Sequence, residues 1–242
     1  MSVRIGPRDM WAVQWLAEMY GAPMNVVAEL LGTSETNAYR VVGRWRDAGL
    51  VSDDPMRPVP GPMWVVPTAA AASSLLGFTV QRWVPGPKDA RHVTLTARAR
   101  IALAGREIGE DSWSSERILR REANRKTPFG SSEPRAHLHD GHWTDDLGRL
   151  HAIEIELTRK GSADIRDTVS AAYAEAKKAG ADSLIYYCAT DEVRTRVQTT
   201  AQKTLRPVAG DPEFVVRPLD GLLNVKNNDQ TGGGLAAVGG AA

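Results

Sequence analysis

The chain has 242 residues, with 30 basic and 29 acidic side chains and a formal net charge of +1. This balance excludes a protein whose overall charge drives it onto nucleic acid, so any such binding must come from local basic patches. An apolar fraction of 42% is enough for a packed core, and the length allows one large domain or two modest ones.

The single cysteine, Cys188, lies in the apolar run SLIYYCA and cannot form an internal disulfide. It is expected to be a buried core thiol in a reducing compartment, rather than a nucleophile. The N-terminus lacks an apolar signal core, and no apolar run approaches the roughly 18 residues of a membrane span. The sequence therefore predicts a cytoplasmic protein that is not bound to a membrane.

A helix-turn-helix is predicted within the first 50 residues. The first helix has apolar side chains at i, i+3, i+4 and i+7 from Val13, and a second, short helix follows from about residue 24 to 31. Gly32 then allows a tight turn, because glycine tolerates positive φ, and Thr33 or Ser34 can cap a third helix. Helix, short helix, glycine turn and helix is the order of a helix-turn-helix.

The third helix has a polar stripe opposite its apolar one. Ser34, Asn37, Arg40 and Arg44 are spaced three, three and four residues apart, so they share one face. Arginine and asparagine are the residues that bind guanine and adenine edges in the major groove, and serine can hold a phosphate. The alternative is an ordinary solvated helix face. The preceding turn favours DNA contact.

The next segment is expected to form a wing. Arg57 lies in the loop DDPMRPVPGP, which leads to a short strand at residues 63–66, and Thr68 can cap the Ala-rich helix that follows. A loop and strand after the recognition helix are what a winged helix requires, and Arg57 could then contact a backbone phosphate. From residue 78 to 109 the pattern is ambiguous: HVTLTARARIALAGRE, at residues 92–107, could begin as a strand or be helical throughout, and mostly helix is favoured.

A basic helix is predicted in SWSSERILRREANRK, capped by Ser114 or Ser115. Its basic residues are Arg117, Arg120, Arg121, Arg125 and Lys126. The helix is either a solvated surface with Glu/Arg pairs or a surface that tracks phosphates, for which Arg117 and Arg121 are the expected contacts.

A β-hairpin is predicted from about residue 136 to 158. Along its second strand Glu154 and Glu156 point to one face, roughly 7 Å apart, and Asp140 lies on the neighbouring strand. The rest alternates between a helix at 164–179, a strand at 183–188, a helix at 191–204 and a strand at 213–217. The predicted fold is α+β, with a winged helix-turn-helix at residues 1–110, an α/β domain with a mixed sheet at 111–225 and a disordered tail at 226–242.

The hairpin carboxylates have one specific use. A Mg²⁺ ion held by Asp140 and Glu154 could bind a scissile phosphate and lower the pKa of an attacking water. Lys160 could stabilise the developing charge, and Glu156 could be a further ligand or a base. The alternative is that the two glutamates simply face water at the wet side of a sheet.

Several segments in this order resemble the replication-relaxation proteins of actinobacterial plasmids, phages and integrated elements. They are "AGLV", "VVPTAAAASSLLG", "WSSERILRRE", "HDG" and "AIEIELTRK", and the resemblance covers residues from about 7 to 190. It implies an N-terminal winged helix that binds DNA, followed by a domain related to the PD-(D/E)XK nucleases.

The resemblance also implies positions for a nuclease site. Asp140, in "HDG" rather than "PDG", matches the first acidic position, and Glu154 matches the second. Glu156 stands where lysine is usual, as in some restriction endonucleases, and Lys160 could substitute from four residues on. Glu116 matches the extra glutamate that some of these enzymes place on their first helix, as a further metal ligand. The Gln-xxx-Tyr signature of one branch is absent, because Val169 stands in place of the glutamine four residues before Tyr173.

Three functions remain open from the sequence. The first is a DNA-binding regulator or accessory factor of a mobile element, with double-stranded DNA as its partner. The second is a Mg²⁺-dependent endonuclease or nickase. The third is an interaction protein whose second domain docks a replication or recombination protein. Helix-turn-helix proteins often dimerise, so a homodimer is also considered, although no heptad seam indicates one.

Overall fold

The computed structural model describes residues 4–106, 112–126 and 136–229. The elements in these ranges are α1 (Pro7–Glu18), β1 (Ala22–Pro23), α2 (Met24–Leu30), α3 (Glu35–Asp47), β2 (Trp64–Val65), α4 (Ala69–Leu76), α5 (Pro87–Ala104), β3 (Trp113–Ser115), α6 (Glu116–Lys126), β4 (Gly141–Thr144), β5 (Leu150–Glu156), α7 (Ser162–Lys178), β6 (Ser183–Cys188), α8 (Asp191–Thr204), β7 (Glu213–Pro218) and α9 (Leu219–Asp229). The fold is mixed α+β, as predicted. Within these ranges no helix is long and apolar enough to cross a membrane.

The first three helices pack around one apolar core. The predicted stripe of α3 is buried there, with Trp45 fully enclosed and its indole nitrogen donating to Asp9 Oδ1 at 2.8 Å. Ser34 caps α3 by accepting the backbone N–H of Asn37, and Gly32 in the preceding turn has φ +57°. Strand β1 pairs antiparallel with β2, which ties the segment after α3 back to the start of α2.

The second half is built on a five-stranded sheet in the order β3-β4-β5-β6-β7. Pairing is antiparallel between β3, β4 and β5 and parallel between β5, β6 and β7. One face is covered by α7 and α8, and the other by α5 and α9. Cys188 is buried on β6, as predicted.

Helix α5 belongs to both halves. Ala97 and Ile101 pack into the core of the first three helices, whereas Ala99 packs on the sheet. Arg100 of the same helix forms an ion pair with Glu18 of α1, with 2.7 Å between Nη1 and Oε2 and both side chains more than nine-tenths buried. The predicted boundary near residue 110 therefore follows a helix that the two halves share.

Some element boundaries differ from the prediction. Ser114 and Ser115 lie in strand β3 rather than capping a helix, because they pair with β4. Strand β4 is shorter than predicted, so Asp140 lies just before it. Helix α9 extends to Asp229 and includes residues 226–229 of the predicted tail, whereas residues 230–242 lie outside the described residues. The ambiguous segment HVTLTARARIALAGRE is helical from its first residue to Ala104, within α5, and not a strand.

Gly141 of the HDG motif is required by close packing. A Cβ atom at this position would lie 2.1 Å from Cζ2 of Trp113, whose ring is buried on β3. Such a distance is impossible without displacing the indole from the core. We expect Gly141→Ala to lower the free energy of unfolding by about 1–3 kcal/mol, the usual cost of overpacking.

The free energy of unfolding of Gly141→Ala is measured by chemical denaturation and compared with that of a control variant, Gly43→Ala. A Cβ at Gly43, within α3, would meet no atom within 4 Å, so this control should be neutral or stabilising by up to about 1 kcal/mol. Equal stability of Gly141→Ala and the unaltered protein would show that Trp113 does not restrict this position.

Candidate functional site

Two of the predicted carboxylates lie on the face of the sheet that α7 covers. Glu154 and Glu156 share the face of β5 that α7 covers, and only 9% and 6% of their surfaces are exposed. Strand pairing matches Gly141 with Ile153, so Asp140 comes next to Glu154 across the hairpin. The glutamates therefore do not lie on a wet sheet face, and two buried carboxylates beside the partly buried Asp140 need hydrogen-bonding or charged partners.

Asp140 is held by the backbone and by a histidine. Its Oδ2 accepts the N–H of Ile155 at 2.7 Å, and its Oδ1 lies 2.8 Å from Nε2 of His92 on α5. His92, Asp140 and Glu116 line one pocket, together with Thr96, whose buried hydroxyl has no hydrogen-bond partner among the described residues. The structure thus brings Glu116 towards Asp140, with His92 beside them.

The acidic side chains around His92 change the pKa of its imidazole. Burial opposes protonation of the imidazole, but the hydrogen bond to Asp140 and the charges of Asp140, Glu154 and Glu116 outweigh it and raise the pKa of His92 to about 9. His92 is therefore a cation at neutral pH. It supplies part of the positive charge that the buried carboxylates require.

Glu154 is surrounded by histidines from the loop before β4. Its Oε1 lies 2.6 Å from Nε2 of His137, and one donor atom each of His137, His139 and Glu154 lies within 4.8 Å of the others. These histidines belong to the segment HLHDGH, of which the predicted site includes only Asp140. Burial and the nearby charge of Asp140 raise the pKa of Glu154, against the effect of His137.

His139 differs from the other two histidines at this site. Its Nε2 lies 3.0 Å from the carbonyl oxygen of Ala172 on α7, and its Nδ1 lies 3.0 Å from Nε2 of His142. Burial lowers the pKa of His139 to about 4, so the ring is neutral at physiological pH. A neutral ring that donates from Nε2 to Ala172 has a lone pair on Nδ1.

Glu156 and Lys160 pair with each other. The Nζ of Lys160 lies 2.6 Å from Oε2 of Glu156, so its ion-pair partner is this glutamate. The side chain of Lys160 is 37% exposed, whereas that of Glu156 is 8% exposed. The predicted role of Lys160 at a phosphate would require this ion pair to open.

The residues around Glu154 do not fit the predicted Mg²⁺ ion. Mg²⁺ requires oxygen ligands in near-octahedral geometry, but the donors that converge on Glu154 are imidazole nitrogens. Both oxygens of Asp140 already accept hydrogen bonds, and Glu116 pairs with Arg120. Imidazole suits Zn²⁺ and other first-row transition ions instead.

The predicted DNA-contacting face of α3 is exposed to solvent. Ser34, Asn37, Arg40 and Arg44 all have exposed side chains, and Ser34 is also the helix cap. Arg44 lies 3.4 Å from Oδ1 of Asp9 and remains 45% exposed, so this contact is a weak surface ion pair. Arg57 is also exposed, in the loop between α3 and β2.

The two predicted contacts on α6 have structural partners. Arg117 is 9% exposed, donates to the carbonyl oxygen of Ala17 at 2.6 Å and lies 3.9 Å from the ring centroid of Tyr20. Arg117 therefore joins α6 to the end of α1, and its buried guanidinium is not available to contact DNA. Arg121 lies over the ring of Phe78 at 4.4 Å and is partly exposed.

No protein-family model matches this chain, and no curated protein matches it either. The resemblance to the replication-relaxation proteins therefore depends on the motifs themselves. Function has to be argued from the exposed face of α3 and from the buried cluster beneath α7.

Proposed function

We propose that the protein binds double-stranded DNA through a winged helix-turn-helix and acts as a regulator or accessory factor of a mobile element such as a plasmid or phage. One observation carries the proposal most directly. Helix α3 buries Ala38, Val42 and Trp45 and presents Asn37, Arg40 and Arg44 on its opposite, exposed face. A helix anchored in this way can enter the major groove without disturbing its own core.

The segment after α3 supports a wing. A bridge between Met56 and Trp64 closes the loop that contains Arg57, and β2 fastens the end of this loop to β1. In this arrangement Arg57 contacts a phosphate beside the groove. Asp53 lies just before this loop and weakens its attraction to DNA, whereas Asp54 is paired with Arg82. We therefore expect α3 to supply most of the affinity.

A nuclease-like second domain is part of the proposal. Its support is the order of an antiparallel hairpin, a crossover helix and a parallel strand, which are β4, β5, α7 and β6. Residues 136–156 place acidic side chains at the same positions as the implied nuclease site. We propose that this domain contacts DNA, or a replication or recombination protein, beside the DNA bound by α3.

The test is selection from a random-sequence library of DNA duplexes with the untagged full-length protein. Repeated selection should enrich one sequence, and fluorescence anisotropy should then give tighter binding to it than to a scrambled duplex. Affinity should fall linearly on a log–log plot against salt concentration, because bound phosphates release counterions. Failure to enrich any duplex would contradict the proposal.

An endonuclease is the competing function, and the adjacency of Asp140 and Glu154 is the observation that favours it. The nitrogen-rich surroundings of Glu154 argue against Mg²⁺ there. We therefore expect supercoiled plasmid to remain intact when incubated with the protein and Mg²⁺. Nicking with Mg²⁺ or Mn²⁺ that disappears in Asp140→Asn with Glu154→Gln would instead establish the endonuclease.

A further inference from the structure

Three side chains beneath α7 have the spacing of a metal-binding set. The donor atoms of His137 and Glu154 are 2.6 Å apart, and no pair among His137, His139 and Glu154 exceeds 4.8 Å. A tetrahedral ion with bonds of about 2.0 Å separates its ligand atoms by roughly 3.3 Å, between these limits. Small rotations of the side chains would bring all three donors to one ion.

The hydrogen bonds around His139 orient it as a ligand. Its Nε2 donates to the carbonyl oxygen of Ala172, and a second-shell carbonyl of this kind usually fixes the tautomer of a metal-bound histidine. The lone pair on Nδ1 is then available to an ion. His142 lies next to this atom and can turn away, since its own ring is only partly buried.

A second observation indicates an additional group at the same place. Tyr186 is opposite Glu154 on β6, is fully buried, and its hydroxyl has no hydrogen-bond partner among the described residues. A buried hydroxyl normally has a partner, and an ion with a bound water would supply one. Access is available at His137, whose side chain is 19% exposed.

We propose that His137, His139 and Glu154 bind one divalent first-row transition ion, with Zn²⁺ as the best match. Two imidazoles and one carboxylate are a known donor set for Zn²⁺, and they leave a fourth position for water. Binding replaces the hydrogen bond between His137 and Glu154 with two bonds to the ion, and the shared proton leaves to solvent. The proposal does not depend on DNA binding.

The experiment is calorimetric titration of the untagged, EDTA-treated protein with Zn²⁺, Co²⁺ and Mg²⁺ separately. One equivalent of Zn²⁺ or Co²⁺ should bind, and the Co²⁺ form should show the visible absorption bands of tetrahedral coordination. Mg²⁺ at the same concentration should not bind. Loss of a ligand should cost more than the 10–100-fold that loss of a second-shell partner costs. We therefore expect His137→Gln and Glu154→Gln each to weaken Zn²⁺ binding more than about 100-fold.

The matched control is His151→Gln, which removes a histidine that also pairs with a carboxylate, that of Asp145, outside the proposed ligand set. Its Zn²⁺ affinity should stay within about threefold of the unaltered protein. Circular dichroism verifies folding, and His137→Gln carries the test if Glu154→Gln unfolds, because His137 lies in a loop. The proposal fails if the unaltered protein does not bind Zn²⁺, if His137→Gln binds it equally well, or if His151→Gln loses it to the same extent.

Discussion

Replacement of Arg40 and Arg44 together by alanine should weaken binding to the selected duplex at least about 30-fold. Both side chains project from the exposed face of α3. A bidentate contact from arginine to guanine contributes about 1–3 kcal/mol, so loss of two should cost at least about 2 kcal/mol. The double variant should remain folded, because neither residue belongs to the buried stripe. Fluorescence anisotropy with the selected and scrambled duplexes measures the effect.

The scrambled duplex separates base contacts from phosphate contacts. If the arginines contact base edges, the variant loses its preference for the selected sequence. If they contact only phosphates, it loses affinity for both duplexes and the salt slope decreases by about one per contact. The control replaces Arg159 and Arg166, two arginines with side chains more than half exposed outside α3. Unchanged affinity of the α3 variant would contradict the groove assignment.

Arg44 also has a contact within the protein, to Asp9. The carboxylate of Asp9 accepts the indole N–H of Trp45 and also lies beside Arg44. Arg44 must leave this surface pair to contact DNA, but such a pair contributes less than about 1 kcal/mol. The competing contact is therefore a small penalty on DNA binding and leaves Arg44 within reach of the groove.

The parts of the fold that follow local rules could be predicted from the sequence. The stripe of α3 depends on helical periodicity, and the shared face of Glu154 and Glu156 depends on strand alternation. Both rules involve residues within a few positions of each other. The cap provided by Ser34 is equally local. These features agree with the structure because tertiary contacts do not change them.

The partners of the site residues could not be predicted in this way. His92 comes to Asp140 from 48 positions away, and Arg117 contacts Ala17 across 100 positions. An arginine-rich helix has the same sequence pattern whether its first turn faces solvent or another helix. Burial of Glu154 depends on how α7 crosses the sheet, which periodicity does not determine. The histidines of HLHDGH gain their importance only from that burial.

The buried ion pair between Glu18 and Arg100 is expected to have the largest single effect on stability. Arg100→Met should lower the free energy of unfolding by about 3–5 kcal/mol, because it removes the cation that lies 2.7 Å from the buried carboxylate of Glu18. The guanidinium also lies 5.1 Å from the ring centroid of Trp15, and methionine would retain only part of that packing. Urea unfolding followed by fluorescence and by circular dichroism gives the measurement.

Arg98→Met is the matched control on the same helix. Arg98 pairs with Glu29 at 3.5 Å, and both side chains are at least one-third exposed, so its loss should cost less than about 1 kcal/mol. The double variant Glu18→Leu with Arg100→Met should recover most of the stability, because an apolar pair can replace a buried ion pair at little cost. If Arg100→Met proved as stable as Arg98→Met, the pair would not be the contact that stabilises α1 against α5.

The location of this pair determines how the two cores are expected to unfold. Arg100 belongs to α5, whose other side packs on the sheet, and Glu18 ends the helix that packs beneath α3. Loss of the pair should therefore loosen the attachment of the first three helices to the sheet before either core unfolds. Unfolding monitored by the two probes should then separate into two transitions in Arg100→Met. A single shared transition would indicate that the cores remain coupled through other contacts of α5.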